Sequence, residues 1–129
     1  MKILAILSVS VLLFSACKKV EGEGGSSSIT GKILVKDYNS TQTILLSEYN
    51  GAKEDVYIVY GDGDNTFDDK IESSYDGSFE FKYLEEGTYT IFAYEDCLVC
   101  DGGEQAIITT VTIDKKKSTV DAGTLTLRK

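Results

Sequence analysis

The sequence predicts an all-β protein, an antiparallel Greek-key β-sandwich of about seven to eight strands. After Ser28 no stretch shows a helical period of apolar residues, whereas several short runs alternate apolar and polar positions. These runs are rich in β-branched and aromatic residues, which suit strands. Gly, Asp and Asn bound the runs, as expected where tight turns join neighbouring strands.

The predicted strands follow one another with apolar residues aligned on one side, where the core is expected. In chain order they are ITGKILV with Ile29, Ile33 and Val35; an extra strand around 43–46; DVYIVY with Val56, Ile58 and Tyr60; GSFEFKY with Phe79, Phe81 and Tyr83; QAIITTVTI with Ile107, Val111 and Ile113; and TLTLR with Leu125 and Leu127. Their alternation predicts two sheets, each with one face turned inward.

The stretch YDGSFEFKYLEEGTYTIFAYE is the most informative part of the predicted sandwich. Asp76-Gly77 is a dipeptide that joins hairpin strands. Leu84 is expected to close the next strand, and Gly87 allows a tight corner after it. Tyr89 then stands where a tyrosine corner places its ring in the core and its hydroxyl on the backbone upstream.

The pattern DG-x-F-x-F-x-x-L-x-x-G-x-Y over residues 76–89 resembles the transthyretin-like (prealbumin-like) superfamily of sandwiches. Carboxypeptidase regulatory-like domains and collagen-adhesin B-type repeats share this pattern. The resemblance implies the sandwich fold over roughly residues 29–127. It implies no single function, because such domains serve as spacers, stalks and binding modules.

The chain begins MKILAILSVSVLLFSACKK, which has the layout of a secretory signal. Met1 and Lys2 form a short positive region, and residues 3–14 form a run of apolar or small residues. A membrane-spanning helix needs about 20 apolar residues, so this run is too short to remain as one. Ser15 and Ala16 supply the small side chains that a signal peptidase requires.

The segment LLFSAC resembles the lipobox of bacterial lipoproteins, and with Phe14 in place of the usual Leu it looks like those of the Bacteroidota. The resemblance implies a signal peptide over residues 1–16 and a lipid on Cys17. Residues 17–28, rich in Gly, Ser and Glu, are then expected to form a flexible tether to a domain over residues 29–129. Lys18 after the cysteine favours the outer membrane, and the domain could lie on its periplasmic face or on its outer face.

Composition narrows the classes of function. The chain has 13 basic and 21 acidic residues, and its net charge of −8 argues against binding to nucleic acid or electrostatic docking on anionic lipid. The chain contains no histidine, which removes the commonest general base and the Ser/His and Cys/His nucleophile pairs. We therefore expect a protein that is not an enzyme, although chemistry based on carboxylates alone stays open.

Five acidic residues fall in the segment GDGDNTFDDKIE: Asp62, Asp64, Asp68, Asp69 and Glu72. Clustered carboxylates in a loop are ligands that Ca²⁺ prefers, so this loop is a candidate calcium site. The segment lacks the glycine and glutamate positions of an EF-hand loop. A solvated connector between two strands is the alternative interpretation.

Cys97 and Cys100 lie in EDCLVCDGG, just past a predicted strand. In an exported protein, two nearby thiols usually form a disulfide. A thioredoxin-type pair is disfavoured, because no helix pattern follows the first cysteine. A zinc site lacks further soft ligands, because the chain has no histidine.

Tyr57, Tyr75, Tyr83 and Tyr94 could leave rings on an outer sheet face, where aromatic residues bind sugars or proteins. Ordinary cross-strand pairing is the other interpretation of these tyrosines, and it is the one we favour. The function we expect is a membrane-anchored, non-catalytic module that binds or presents a protein or glycan. A structural spacer or subunit of an envelope assembly is the alternative, and a hydrolase built on two carboxylates is a third. An exposed aromatic patch would favour binding over a spacer role.

Overall fold

The computed structural model describes residues 20–61 and 66–129, and this part of the chain forms eight strands. They are β1 (Glu23–Tyr38), β2 (Leu45–Asn50), β3 (Asp55–Tyr60), β4 (Asp69–Glu72), β5 (Ser78–Leu84), β6 (Gly87–Asp96), β7 (Glu104–Ile113) and β8 (Thr119–Arg128). A short 3₁₀ turn, Asp101–Gly103, precedes β7. Within the described residues no helix is long and apolar enough to span a bilayer.

The long strand β1 organises the first sheet. Strand β8 pairs along one side of it, while β5 and β2 pair end to end along the other side. The second sheet has the order β4-β3-β6-β7. The two sheets pack face to face, so the predicted all-β sandwich is confirmed.

One pairing departs from the predicted antiparallel arrangement. Strand β8 runs parallel to β1, with Ile33 opposite Leu125 and Val35 opposite Leu127. The other pairings in the described residues are antiparallel. Parallel neighbours need a crossover connection, and here the intervening chain passes through the second sheet before β8 returns beside β1.

The core lies between the two sheets, and most of the predicted inward residues form it. Fifteen buried residues make one cluster: Ile29, Ile33, Val35, Val56, Ile58, Phe79, Phe81, Leu84, Tyr89, Ile91, Ala93, Val111, Ile113, Leu125 and Leu127. Tyr60 and Ile107 are partly buried against it. The period-two alternation therefore predicted the core residues of five strands, because successive side chains of a strand point to opposite faces. In β6 it predicted neither Ile91 nor Ala93.

Tyr83 is the exception, and the prediction that it faces the core is wrong. Its ring is 70% exposed, whereas the next residue, Leu84, is buried. Tyr83 has a φ of 59°, in the left-handed region that side chains rarely adopt. This residue breaks the alternation, and the β1–β5 register shifts beside it, between Ser27 (opposite Leu84) and Ile29 (opposite Phe81).

The chain enters the fold earlier than the predicted boundary at residue 29. Strand β1 begins at Glu23, so part of the segment expected to be tether lies in the sheet. A side chain at Gly25 would overlap the backbone carbonyl of Leu84, and Gly22 and Gly24 adopt positive φ values. The glycines that suggest flexibility therefore permit close backbone approach.

The extra strand predicted around residues 43–46 is found later, at Leu45–Asn50. Asn39 accounts for the difference, because its side-chain oxygen accepts hydrogen bonds from the amides of Thr43 (2.8 Å) and Ile44 (3.1 Å). Residues 43 and 44 thus belong to a turn built on Asn39 rather than to the strand.

The sandwich has two distinct ends. The "Gly22 end" comprises Gly22, the corner at residues 85–87 and the turn at residues 114–118; the Gly22 amide donates to the hydroxyl of Tyr89 at 3.0 Å. The "disulfide end" comprises the loops at residues 39–44, 51–54 and 97–103. There the Gln42 side chain donates to the carbonyl of Asp96 at 3.3 Å.

Candidate functional site

The acidic segment is divided by the fold. The Asp68 carboxylate accepts a hydrogen bond from the Tyr60 amide at 2.7 Å, and Asp69 accepts one from the Lys70 amide at 2.8 Å. Asp69 lies on the inward side of β4, whereas the exposed Glu72 lies on its outward side. The described residues contain no group of three His, Cys, Asp or Glu that could hold a metal ion.

Three predicted site residues, Cys17, Asp62 and Asp64, lie outside the described residues. Calcium binding by the acidic segment and lipidation of Cys17 therefore stay predictions. The carboxylate of Asp68 is engaged with the backbone amide of Tyr60 at the end of β3.

Cys97 and Cys100 are joined by a disulfide, with their Cα atoms 5.4 Å apart. The Cys97 amide donates to the Gly103 carbonyl at 2.8 Å, and the Gly103 amide donates to the Cys100 carbonyl at 3.0 Å. These hydrogen bonds and the disulfide together close the loop at residues 97–103. Leu98 and Val99 project from its tip and are 62% and 96% exposed.

The outer face of the β4-β3-β6-β7 sheet carries an aromatic cluster of Tyr57, Phe67, Phe92 and Tyr94. The strand register aligns Tyr57 with Phe92, and Phe92 with Ile108. Tyr94 lies on the same face beside Ala106. The residues Phe67 and Tyr94 are 46% and 40% exposed. The sequence had suggested Tyr57, Tyr75, Tyr83 and Tyr94 as candidates for outer-face rings, with cross-strand pairing as the other interpretation. Tyr57 and Tyr94 lie on this face, and Tyr57 also pairs across the strands with Phe92.

Ring geometry distinguishes Tyr94 from the other members of the cluster. Tyr57 and Phe92 stack with centroids 4.9 Å apart and planes 7° apart, so each covers one face of the other. Phe67 packs edge-on against Tyr57 at 4.8 Å. Tyr94 meets Tyr57 and Phe92 in T-shaped contacts at 5.5 and 5.6 Å, so it stacks on neither ring.

Tyr94 borders a groove of about 190 Å³ at the disulfide end of the sheet, here named the "Tyr94 groove". Its lining comprises Tyr57, Tyr94 and five charged residues: Lys53, Glu54, Asp55, Glu104 and Lys129. Lys129 and Glu54 form an ion pair at 3.4 Å. The groove thus combines aromatic rings with donors and acceptors of hydrogen bonds.

A second concave region lies between the edges of β4 and β5. It has a volume of about 270 Å³ and is lined in part by Glu23, Tyr60, Asp69 and Tyr83. Burial raises the pKa of the Tyr60 hydroxyl above its ordinary value, and the nearby carboxylates of Glu23 and Asp69 add to the effect. Tyr60 therefore resists ionisation, chiefly because burial removes its hydroxyl from water.

Sequence reasoning missed most of the Tyr94 groove. Phe92 follows the inward-facing Ile91 in β6, so period two could have placed it and Tyr94 outward. Nothing in the sequence around Asp55 or Glu104 indicated that either residue belongs to a binding site. Their meeting depends on the antiparallel β3–β6 and β6–β7 registers, which only the folded sheet fixes.

Comparison with known proteins gives little further information. No family model matches the sequence, and no curated protein does. Among solved structures, the chain is similar to one from Pseudomonas aeruginosa described as a candidate carbohydrate-binding protein. The two are 13% identical, the match covers 84% of this chain and 91% of the other, and the TM-score is 0.47. At this identity and TM-score the likeness carries no argument about this chain.

Proposed function

We propose that this protein is a lipid-anchored, non-catalytic module of the bacterial cell envelope that binds carbohydrate in the Tyr94 groove. The observation that carries the carbohydrate assignment is the ring of Tyr94. It packs edge-to-face with its aromatic neighbours and borders a groove lined by charged side chains of both signs.

The chemistry of such a groove suits a sugar. A pyranose ring presents C–H groups on its faces, and these are attracted to the negative face of an aromatic ring. Its hydroxyls can donate to the carboxylates of Asp55 and Glu104 and accept from the ammonium of Lys53. A few polar groups beside an apolar surface are typical of ligand sites that fix a ligand's orientation.

The position of the groove also supports the proposal. Tyr94 follows Tyr89 by five residues of β6, and Tyr89 contacts Gly22. At ~3.4 Å per residue, Tyr94 lies roughly 17 Å further along the strand from the point where the chain enters the fold. A lipid on Cys17 would hold the Gly22 end at the membrane, so the groove would face away from the bilayer.

Affinity electrophoresis through gels containing starch, xylan, mannan or mixed-linkage β-glucan tests the carbohydrate assignment. We expect at least one polysaccharide to retard the wild-type protein. Tyr94→Ala should weaken that binding roughly tenfold or more, as expected for an aromatic residue at the centre of a site. Tyr75→Ala is the matched control, because Tyr75 is 89% exposed and lies outside the groove.

Two outcomes would count against the assignment. If Tyr75→Ala and Tyr94→Ala reduce retardation equally, the groove is not the binding site. If none of the polysaccharides retards the wild-type protein, carbohydrate binding by this surface loses its support. Circular dichroism of each variant shows whether the sandwich remains folded.

The anchor is tested separately. Palmitate labelling in cells should mark the wild-type chain and leave Cys17→Ala unlabelled, because the lipid would be attached to that thiol. Protease treatment of intact cells then distinguishes the two faces of the outer membrane. Rapid digestion places the domain outside the cell, and protection until the outer membrane is broken places it in the periplasm.

A subunit role in an envelope assembly is the second candidate, and strand β2 favours it. This edge strand is exposed throughout, with Leu46 62% and Tyr49 48% exposed. An exposed edge offers unpaired backbone groups to a strand of a partner. Replacing Leu46 with Lys should disrupt such an assembly and leave glycan binding unchanged.

A further inference from the structure

The Gly22 end of the sandwich is fixed from its first residues. The Gly22 amide donates to the Tyr89 hydroxyl, and the Gly22 carbonyl accepts from the Glu85 amide at 2.9 Å. The Glu21 side chain accepts from the Thr88 amide at 3.4 Å. The chain is therefore tied to the β5–β6 corner from Glu21 onward.

This attachment leaves little chain between the fold and the proposed lipid. Cys17 and Glu21 are separated by Lys18, Lys19 and Val20. At about 3.6 Å per fully extended residue, these four steps reach roughly 14 Å at most. If Cys17 carries the lipid, the Gly22 end must lie within that distance of the membrane surface.

A basic turn lies at the same end. Lys115, Lys116 and Lys117 follow β7 in sequence, and all three are exposed. The Lys117 amide donates to the Ser26 hydroxyl at 3.1 Å, and the Ser27 hydroxyl donates to the Lys115 carbonyl at 3.1 Å. These bonds hold the turn beside the segment that leads from the lipid.

Acidic groups share this end but are differently placed. Glu21, Glu85 and Glu86 are half-buried, and Glu21 is engaged with the backbone of Thr88. Asp114 beside the turn and Glu23 at the start of β1 are exposed. The exposed charge of the turn is therefore mainly positive. The net charge of the whole chain matters less here, because charges beyond the Debye length of ~10 Å are screened.

We propose that the 115–117 turn contacts phosphate groups of the lipid headgroups around the anchor. This inference rests on the lipidation of Cys17 in the proposed function. The lipid supplies the stable attachment, and the weaker attraction of the lysines selects which side of the tethered domain faces the bilayer. The contact would orient the domain with its Gly22 end at the membrane and the Tyr94 groove directed away from it.

Lysine footprinting of the lipidated full chain tests this orientation. The protein is reconstituted into vesicles of phosphatidylcholine with phosphatidylglycerol, whose headgroups carry no primary amine, or held in neutral detergent, and treated with an acylating reagent. Mass spectrometry then gives the acylation rate of each lysine. Lys53 is the internal control, because it is exposed and lies at the opposite, disulfide end.

In the vesicles we expect acylation of Lys115 and Lys117 to slow roughly fivefold relative to detergent. This factor corresponds to the about 1 kcal/mol that a lysine gains near an anionic surface. Lys53 should react equally in both conditions. High salt should abolish the protection, because it screens the attraction between lysine and phosphate.

Vesicle flotation separates the two ways in which the inference can fail. If the protein floats with the vesicles but Lys115 and Lys117 react as quickly as in detergent, the anchor stands and the contact is refuted. If the protein does not float, the lipid anchor is refuted, and the contact is refuted with it. Equal protection of Lys53 would also overturn the proposed orientation.

Discussion

The hydroxyl of Tyr89 donates a hydrogen bond to the carbonyl of Glu85 at 2.7 Å and closes a tyrosine corner at the start of β6. The same hydroxyl accepts from the amide of Gly22. One side chain therefore joins the β5–β6 corner to the segment that enters β1. This contact couples the core to the end of the domain at which the proposed anchor lies.

Removing the hydroxyl should destabilise the fold. In Tyr89→Phe, the Gly22 amide loses its buried partner, and we expect the free energy of unfolding to fall by about 1–3 kcal/mol. Urea denaturation followed by tyrosine fluorescence measures the change. Tyr75→Phe, in which the removed hydroxyl is exposed, should leave stability unchanged. An equal effect in the two variants would show that the corner contributes nothing.

Alkaline pH should weaken the fold through two tyrosines. Burial raises the pKa of both Tyr60 and Tyr89, and the Gly22 amide offsets only part of the effect at Tyr89. Above about pH 10 the unfolded chain loses these protons while the folded chain retains them. Stability is thus fully present below that pH and is lost as the pH rises through the raised pKa values. Denaturation at a series of pH values measures this slope, which Tyr89→Phe should reduce.

Gly31→Ala should be costly because of Phe79. A Cβ at residue 31 would overlap the Phe79 ring, which packs across the strand pair against this glycine. We expect a loss of about 1–3 kcal/mol, the usual cost of overpacking. The same substitution in a Phe79→Leu background should cost less, because the smaller side chain leaves space. An identical cost in both backgrounds would exclude the ring as the cause.

Ser73 joins β4 to the loop that forms one side of the Tyr94 groove. This buried residue accepts from the Glu54 amide at 2.9 Å, and its hydroxyl donates to the Gly51 carbonyl. Ser73→Ala leaves both backbone groups without this partner, so we expect a loss of about 1–3 kcal/mol. Ser74→Ala is the matched control, because Ser74 is exposed. Thermal unfolding of the two variants gives the comparison.

The core was predictable because the alternation of apolar and polar residues within each strand indicates which side of that strand is buried. Ile29, Ile33 and Val35 needed only the alternation of a strand to be placed inward. Tyr83 could not be placed this way, since a residue at positive φ interrupts the alternation and leaves no mark in the pattern.

The segment before Ile29 shows a different limit. Its glycines and serines have the composition of a flexible linker, yet Gly25 is required for contact with the backbone of Leu84. Composition indicates how flexible the segment would be if it were isolated. The contact of Gly25 depends instead on a partner strand that lies more than 50 residues away in sequence. The first residues of β1 could therefore not be predicted from the sequence.

The candidate site was predictable only in part. Tyr57 and Tyr94 could be nominated individually as outward rings. Their convergence with Asp55 and Glu104 depends on strand register, and a one-residue shift in register would move every one of these side chains to the other face.

The most direct test of carbohydrate binding is a two-dimensional NMR titration of the folded domain with an oligosaccharide of whichever polysaccharide retards it. The account predicts that the largest amide shifts fall at Tyr94, Asp55 and Glu104, and that Leu46 and Val99 stay unchanged. Shifts centred on β2 or on the disulfide loop, with the groove unperturbed, would contradict it.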